Sequence, residues 1–204
     1  MYRRLFIIAC ILILSTPVYG QRIKKTNKLY IESLTALLKA AGYEVYDFDI
    51  PQARQIEFEI REYSDGQESI FAKQEYDKEQ YGNIKNVHIG FYPSDDPCIA
   101  NKSSVKYVQV GIPEAYRNIP LRLHGIKIEE TGQTSYIYGA RTFKLDKKIM
   151  PGKFIPLVLL GSFWYDERSR IFRFCGESEI ASDMSSEILK NLPHYYIVGI
   201  TLKK

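Results

Sequence analysis

The sequence predicts a mainly β chain, an antiparallel β-sandwich of about eight strands with one amphipathic N-terminal helix and a short helix before the last strand. Three observations predict it. Residues 55–63 alternate strictly, Ile56, Phe58 and Ile60 against Glu57, Glu59 and Arg61, as in a sheet with one face on a core and one in water. Phe154 to Glu177 reads as two strands around a charged turn and holds the only tryptophan, Trp164. Short β-rich runs recur along the chain, separated by turn signals roughly every 8–15 residues. The N-terminal helix leaves an α+β arrangement as the alternative.

Met1–Gly20 has the layout of a secretory signal peptide: Arg3 and Arg4, the apolar run Leu5–Leu14, a break at Ser15–Pro17, and small residues Val18 and Gly20 before the expected cleavage. The apolar run is short of the roughly 20 residues a membrane span needs. Ile7-Ile8-Ala9-Cys10 has the look of a lipobox, so a lipoprotein anchored at Cys10 is an alternative; the apolar run continuing past Cys10 favours plain cleavage. Residues 21–204 are then one domain, long enough for its own core. Losing Arg3 and Arg4 lowers the net charge from +4 to +2, which provides no field to recruit nucleic acid.

In the mature part, Tyr30, Ile31, Leu34, Leu37, Leu38 and Ala41 have the spacing of an amphipathic helix over 28–41, capped by Asn27, ended by Gly42 and expected to pack on a sheet. Strands are expected at 43–49 and 55–63, then a turn at Ser64–Gln67 and a hairpin partner at 68–73. Residues 74–86 read as a surface loop, 87–92 and 104–112 as strands, and the proline-bracketed 113–120 as a loop. Leu121 and Leu123 face one way; beyond Gly125 the phase slips to Ile126 and Ile128, which predicts a β-bulge. Residues 134–145 predict a strand with Tyr136 and Tyr138 in register. The apolar run Leu157–Leu160 predicts a strand buried on both faces, bulged at Gly161. A short helix at 185–192 and a strand at 196–202 complete the chain.

Motifs for chemistry are sparse. The sequence has no nucleophile elbow, no H-E-x-x-H or H-x-H spacing and no phosphate-binding loop, so no metal and no cofactor is read from it. Cys98 and Cys175 offer one possible disulfide, or two separate thiols. Asp95-Asp96 reads as a solvated turn, with calcium the lesser alternative. His88 and His124 adjoin core positions and are expected to be strand residues with single hydrogen bonds, and His194 is the third histidine. Trp164, Tyr165, Tyr136 and Tyr138 are the candidates for ligand stacking, because an aromatic ring with a polar handle suits sugars and peptides.

The signal Met1–Gly20, the Lys/Ile/Tyr/Asn-rich composition and the strands around Gly161–Asp166 (GSFWYD) together resemble the uncharacterised exported proteins of Bacteroides-type gut bacteria. The resemblance implies a periplasmic or cell-surface location and carries over no activity and no functional residue. The expected function is a non-enzymatic binding or structural domain with a glycan or envelope-protein ligand, and with no membrane span once the signal is removed. The alternative is an envelope hydrolase in which a histidine meets a carboxylate or Cys175.

Overall fold

The alternating stretch becomes β2 (Gln55–Ser64) in a computed structural model that describes residues 31–93, 104–145 and 150–203. The signal peptide, Cys10, Cys98 and Asp95-Asp96 lie outside the described residues. The chain divides into two compact units between Leu34 and Thr35, and the second, Thr35–Lys204, carries every strand found among the described residues.

Two sheets form the sandwich. The four-stranded sheet has the order β1 (Glu44–Asp49), β4 (Asn86–Pro93), β5 (Val105–Ile112), β6 (Ala115–Arg122). The six-stranded sheet has the order β13 (Glu179–Ile180), β9 (Tyr138–Phe143), β10 (Phe154–Ser162), β14 (His194–Lys203), β2, β3 (Gln67–Asp77). Among the described residues every pairing is antiparallel except β13 with β9. Two ribbons stand outside the sheets: β7 (Ile126–Lys127) with β8 (Thr134–Ser135), and β11 (Trp164–Asp166) with β12 (Ile171–Arg173).

The inward phase of β2, with Val87, Ile89, Phe91, Val108, Val110, Val198 and Ile200, fills the space between the sheets. The six-stranded sheet is apolar on its other face too, where Leu159 and Ile197 pack with Phe143, Ile180, Ile188 and Leu192. This accounts for Leu157–Leu160: Val158 and Leu160 point between the sheets and Leu159 points outward. Each such side chain contributes about 1.5–3 kcal/mol by burial.

The β2–β3 turn is two residues, Asp65 (φ 53°) and Gly66 (φ 75°), both left-handed as the twist of a tight hairpin demands. β3 runs on to Asp77, whose carboxylate accepts from the Glu79 N–H and starts α2 (Lys78–Tyr81); the strand therefore reaches into the stretch that reads as loop. α3 (Ile188–Asn191) is shorter than the predicted 185–192.

Four expectations are corrected. Residues 113–120 are no loop: β6 occupies most of them, because an edge strand tolerates Pro120 without its N–H. Gly125 marks the end of pairing rather than a bulge; β6 stops at Arg122 and the chain resumes as β7 in a different ribbon. The bulge of β10 lies between Pro156 and Val158, where the proline cannot serve the ladder, and not at Gly161. Helix α1 (Ile31–Ala40) forms, but Leu37 is 65 % and Leu38 37 % exposed, so its leucines are not sealed against a sheet.

Candidate functional site

β10 does not run straight into a hairpin. At Phe163 the chain leaves the sheet, and Trp164–Asp166 pairs with β12 instead, Trp164 opposite Arg173 and Tyr165 opposite Phe172. An Arg173–Asp166 ion pair of 2.5 Å ties the ribbon across its width. Trp164 and Tyr165 are half-buried and line a cleft of about 360 Å³ together with Lys127, Glu129, Glu130 and Glu167. Trp164 also packs on the outer apolar cluster, which fixes its ring.

Tyr136 and Tyr138 lie elsewhere. β8 ends at Ser135, so they do not continue one strand with it, and both line a second cleft beside Glu44 and Lys106. The four predicted aromatics thus divide two and two. Cys175 is exposed, and His88 makes the single bond expected of it, Nδ1 to Asp47 Oδ1 at 2.9 Å across the β1–β4 pair.

His124 departs from that expectation and meets His194. Their rings stack at 3.8 Å with an 18° tilt. His194 opens β14 and is 1 % exposed; its backbone N–H donates to Ser162 Oγ at 3.2 Å. Its Nε2 lies 3.1 Å from Glu62 Oε1 and its Nδ1 lies 2.7 Å from Tyr138 Oη. Tyr138 Oη accepts from the His124 N–H at 2.9 Å. Tyr196 Oη is 2.8 Å from both Glu62 Oε1 and the Arg122 carbonyl oxygen. The group sits at one end of the sandwich interior, built from β2, β9, β14 and the exposed break after β6.

Burial raises the Glu62 carboxyl, but the bonds from Tyr196 and His194 outweigh it and hold it below the usual carboxylate range. Burial pushes His194 below an ordinary imidazole, against the pull of Glu62. Burial also raises the Tyr138 and Tyr196 phenols well above their ordinary value. At neutral pH, Glu62 is therefore a carboxylate, His194 is neutral and both phenols keep their protons. Nε2–H of His194 then donates to Glu62, and Nδ1 accepts from Tyr138 O–H. With both ring nitrogens engaged and the side chain buried, His194 as seated has no nitrogen to offer a substrate as a general base. Glu62, His124 and His194 also present donor atoms within 4.8 Å of one another.

Glu62 is not among the residues that motif and spacing single out, but the sequence does carry a signal for it. Glu62 occupies the inward phase of β2 after Ile56, Phe58 and Ile60, and His194 occupies the inward phase of β14 before Tyr196 and Val198. A charged or titratable side chain in a core phase needs a partner.

The architecture is a two-sheet antiparallel sandwich with an aromatic cleft on one ribbon and a polar cluster closing one end of its interior. The chain belongs to a family described as a domain of unknown function (DUF5041), matched over residues 65–204. His124, Tyr138, Trp164, His194 and Tyr196 fall inside the matched stretch and Glu62 just before it. No curated protein and no solved structure matches the chain.

Proposed function

We propose that this chain is an exported cell-envelope domain that binds a glycan, without catalysis, in the cleft of Trp164 and Tyr165. The observation that carries the reading is the cleft itself: two half-buried rings beside three exposed carboxylates, Glu129, Glu130 and Glu167. An aromatic face takes the C–H face of a sugar ring, and carboxylates accept from its hydroxyls. The envelope location rests on Met1–Gly20 and on the likeness to exported proteins of Bacteroides-type bacteria. No helix among the described residues is long and apolar enough to cross a membrane, which is compatible with this reading.

The hydrolase alternative gains one feature, a histidine meeting a carboxylate at 3.1 Å, but that histidine is 1 % exposed. The glycan reading is tested on an array of bacterial and host glycans with the wild type, Tyr165→Ala and Glu129→Gln/Glu130→Gln. Binding to one glycan class, weakened more than tenfold in both variants, is expected. Binding that survives both variants, or no binding to any class, contradicts it.

A further inference from the structure

We propose that Glu62, His124 and His194 form a binding site for a divalent transition metal ion, zinc being the best fit, separate from the aromatic rings of the cleft. The donor set is one carboxylate oxygen and two imidazole nitrogens, the kind that zinc, cobalt and nickel take and calcium and magnesium do not. The residues come from β2, from the break after β6 and from the start of β14, so no sequence spacing betrays them. Zinc bonds of about 2.1 Å set tetrahedral ligand atoms about 3.4 Å apart. Glu62 Oε1 and His194 Nε2, at 3.1 Å, already stand near that separation.

The surroundings supply the outer contacts such a site needs. With Nε2 bound to a metal, His194 carries its proton on Nδ1 and donates it to Tyr138 Oη at 2.7 Å. The Tyr138 hydroxyl then turns its own proton toward the His124 carbonyl oxygen, 3.4 Å away, while still accepting from the His124 N–H. Tyr196 O–H steadies Glu62 at 2.8 Å. The hydrogen bonds of Tyr138, Tyr196 and the His194 Nδ1 are thus all kept in the loaded state.

One ring has to move. An imidazole lone pair lies in its ring plane, and the planes of two nearly parallel rings with centroids 3.8 Å apart do not meet at one nearby ion, so a shared ion requires one ring to turn. His194 is locked by its bonds, and His124 is exposed on the short break between β6 and β7, so His124 is the ring that turns. The backbone there is held: a Cβ at Gly125 would overlap Thr134 and Tyr136, so the loop lies close on β8. Three protein ligands leave a fourth position facing solvent, for water or for an oxygen of a ligand. Ile126 and Pro193, close in the chain to the two histidines, line the Trp164 cleft.

The untagged full chain, stripped with EDTA, is titrated with zinc chloride and cobalt chloride by calorimetry, with cobalt absorbance in parallel. The expected result is one ion per chain and the visible bands of four-coordinate cobalt. His124→Ala, an exposed position that leaves the buried network standing, should weaken binding at least tenfold. Tyr138→Phe, a positioning change, should weaken it about tenfold or more while the cobalt spectrum keeps its form. Absence of stoichiometric binding in the wild type, or binding unchanged in both His124→Ala and Glu62→Gln, overturns the proposal.

Discussion

Glu57 and Glu59 lie on the outward phase of β2, yet they are only 9 % and 4 % exposed. Lys203 and Lys73 bond Glu57 at 2.7 and 2.9 Å, and pull its carboxyl down to about 2. Burial raises Glu59, but Lys73 at 2.8 Å and Arg61 at 2.5 Å hold it below its ordinary value. Depressed folded-state values mean that this stabilisation is present above the unfolded carboxyl value of about 4.3 and is lost as pH falls toward about 2. The melting temperature should therefore drop steeply below about pH 4.5, and Glu57→Gln should flatten that drop while lowering the melting temperature at pH 7. An unchanged acid limb in Glu57→Gln contradicts this role for the buried carboxylates. At this scale the sequence told which residues face inward, but not which charges meet. Glu62 and His194 are 132 positions apart, and only the β2–β14 register brings them together.

Among the elements, β10 and β14 show how a bulge fixes a neighbour. Pro156 pairs with Gly199, and the register slips before Val158. The Ile155 carbonyl and the Phe154 ring then crowd Gly199 so closely that a Cβ there would overlap both. Arg61 sits over the same Phe154 ring at 3.9 Å and limits its escape. Gly199→Ala should cost about 1–3 kcal/mol, seen as a lower urea midpoint with an unchanged slope. Helix α1 gives the opposite expectation. Leu37→Lys should leave stability within about 0.5 kcal/mol of the wild type, whereas Leu160→Ala should cost about 2–5 kcal/mol. A costly Leu37→Lys means that the exposed leucine has a partner in solution. Strand existence was legible here from periodicity, as in β2, β4, β5 and β14. Pro120 concealed β6 because it speaks against an interior strand and is silent about an edge, and the helix period showed an apolar side without showing what covers it.

The whole molecule has more layers than its strand pattern advertises. The segment from Phe174 to Leu192 folds over the outer face of the six-stranded sheet, so β10 and β14 are apolar on both sides and read as continuous hydrophobic runs. That cover also seats Trp164, turning the β11–β12 ribbon into a fixed wall of the cleft rather than a free hairpin. Sequence placed Trp164 and Tyr165 together because they are neighbours in the chain. It did not place Glu129 and Glu130 beside them, since only the β7–β8 ribbon brings those acids round.

Trp164 is the only tryptophan, so its emission reports on the cleft alone. The most direct measurement is a titration of the protein with glycans of bacterial and host origin, following tryptophan fluorescence and melting temperature together. If the cleft is a glycan site, one glycan class shifts the emission saturably and raises the melting temperature at the same concentrations. A glycan that raises the melting temperature without moving the emission, or a panel that does neither, contradicts it.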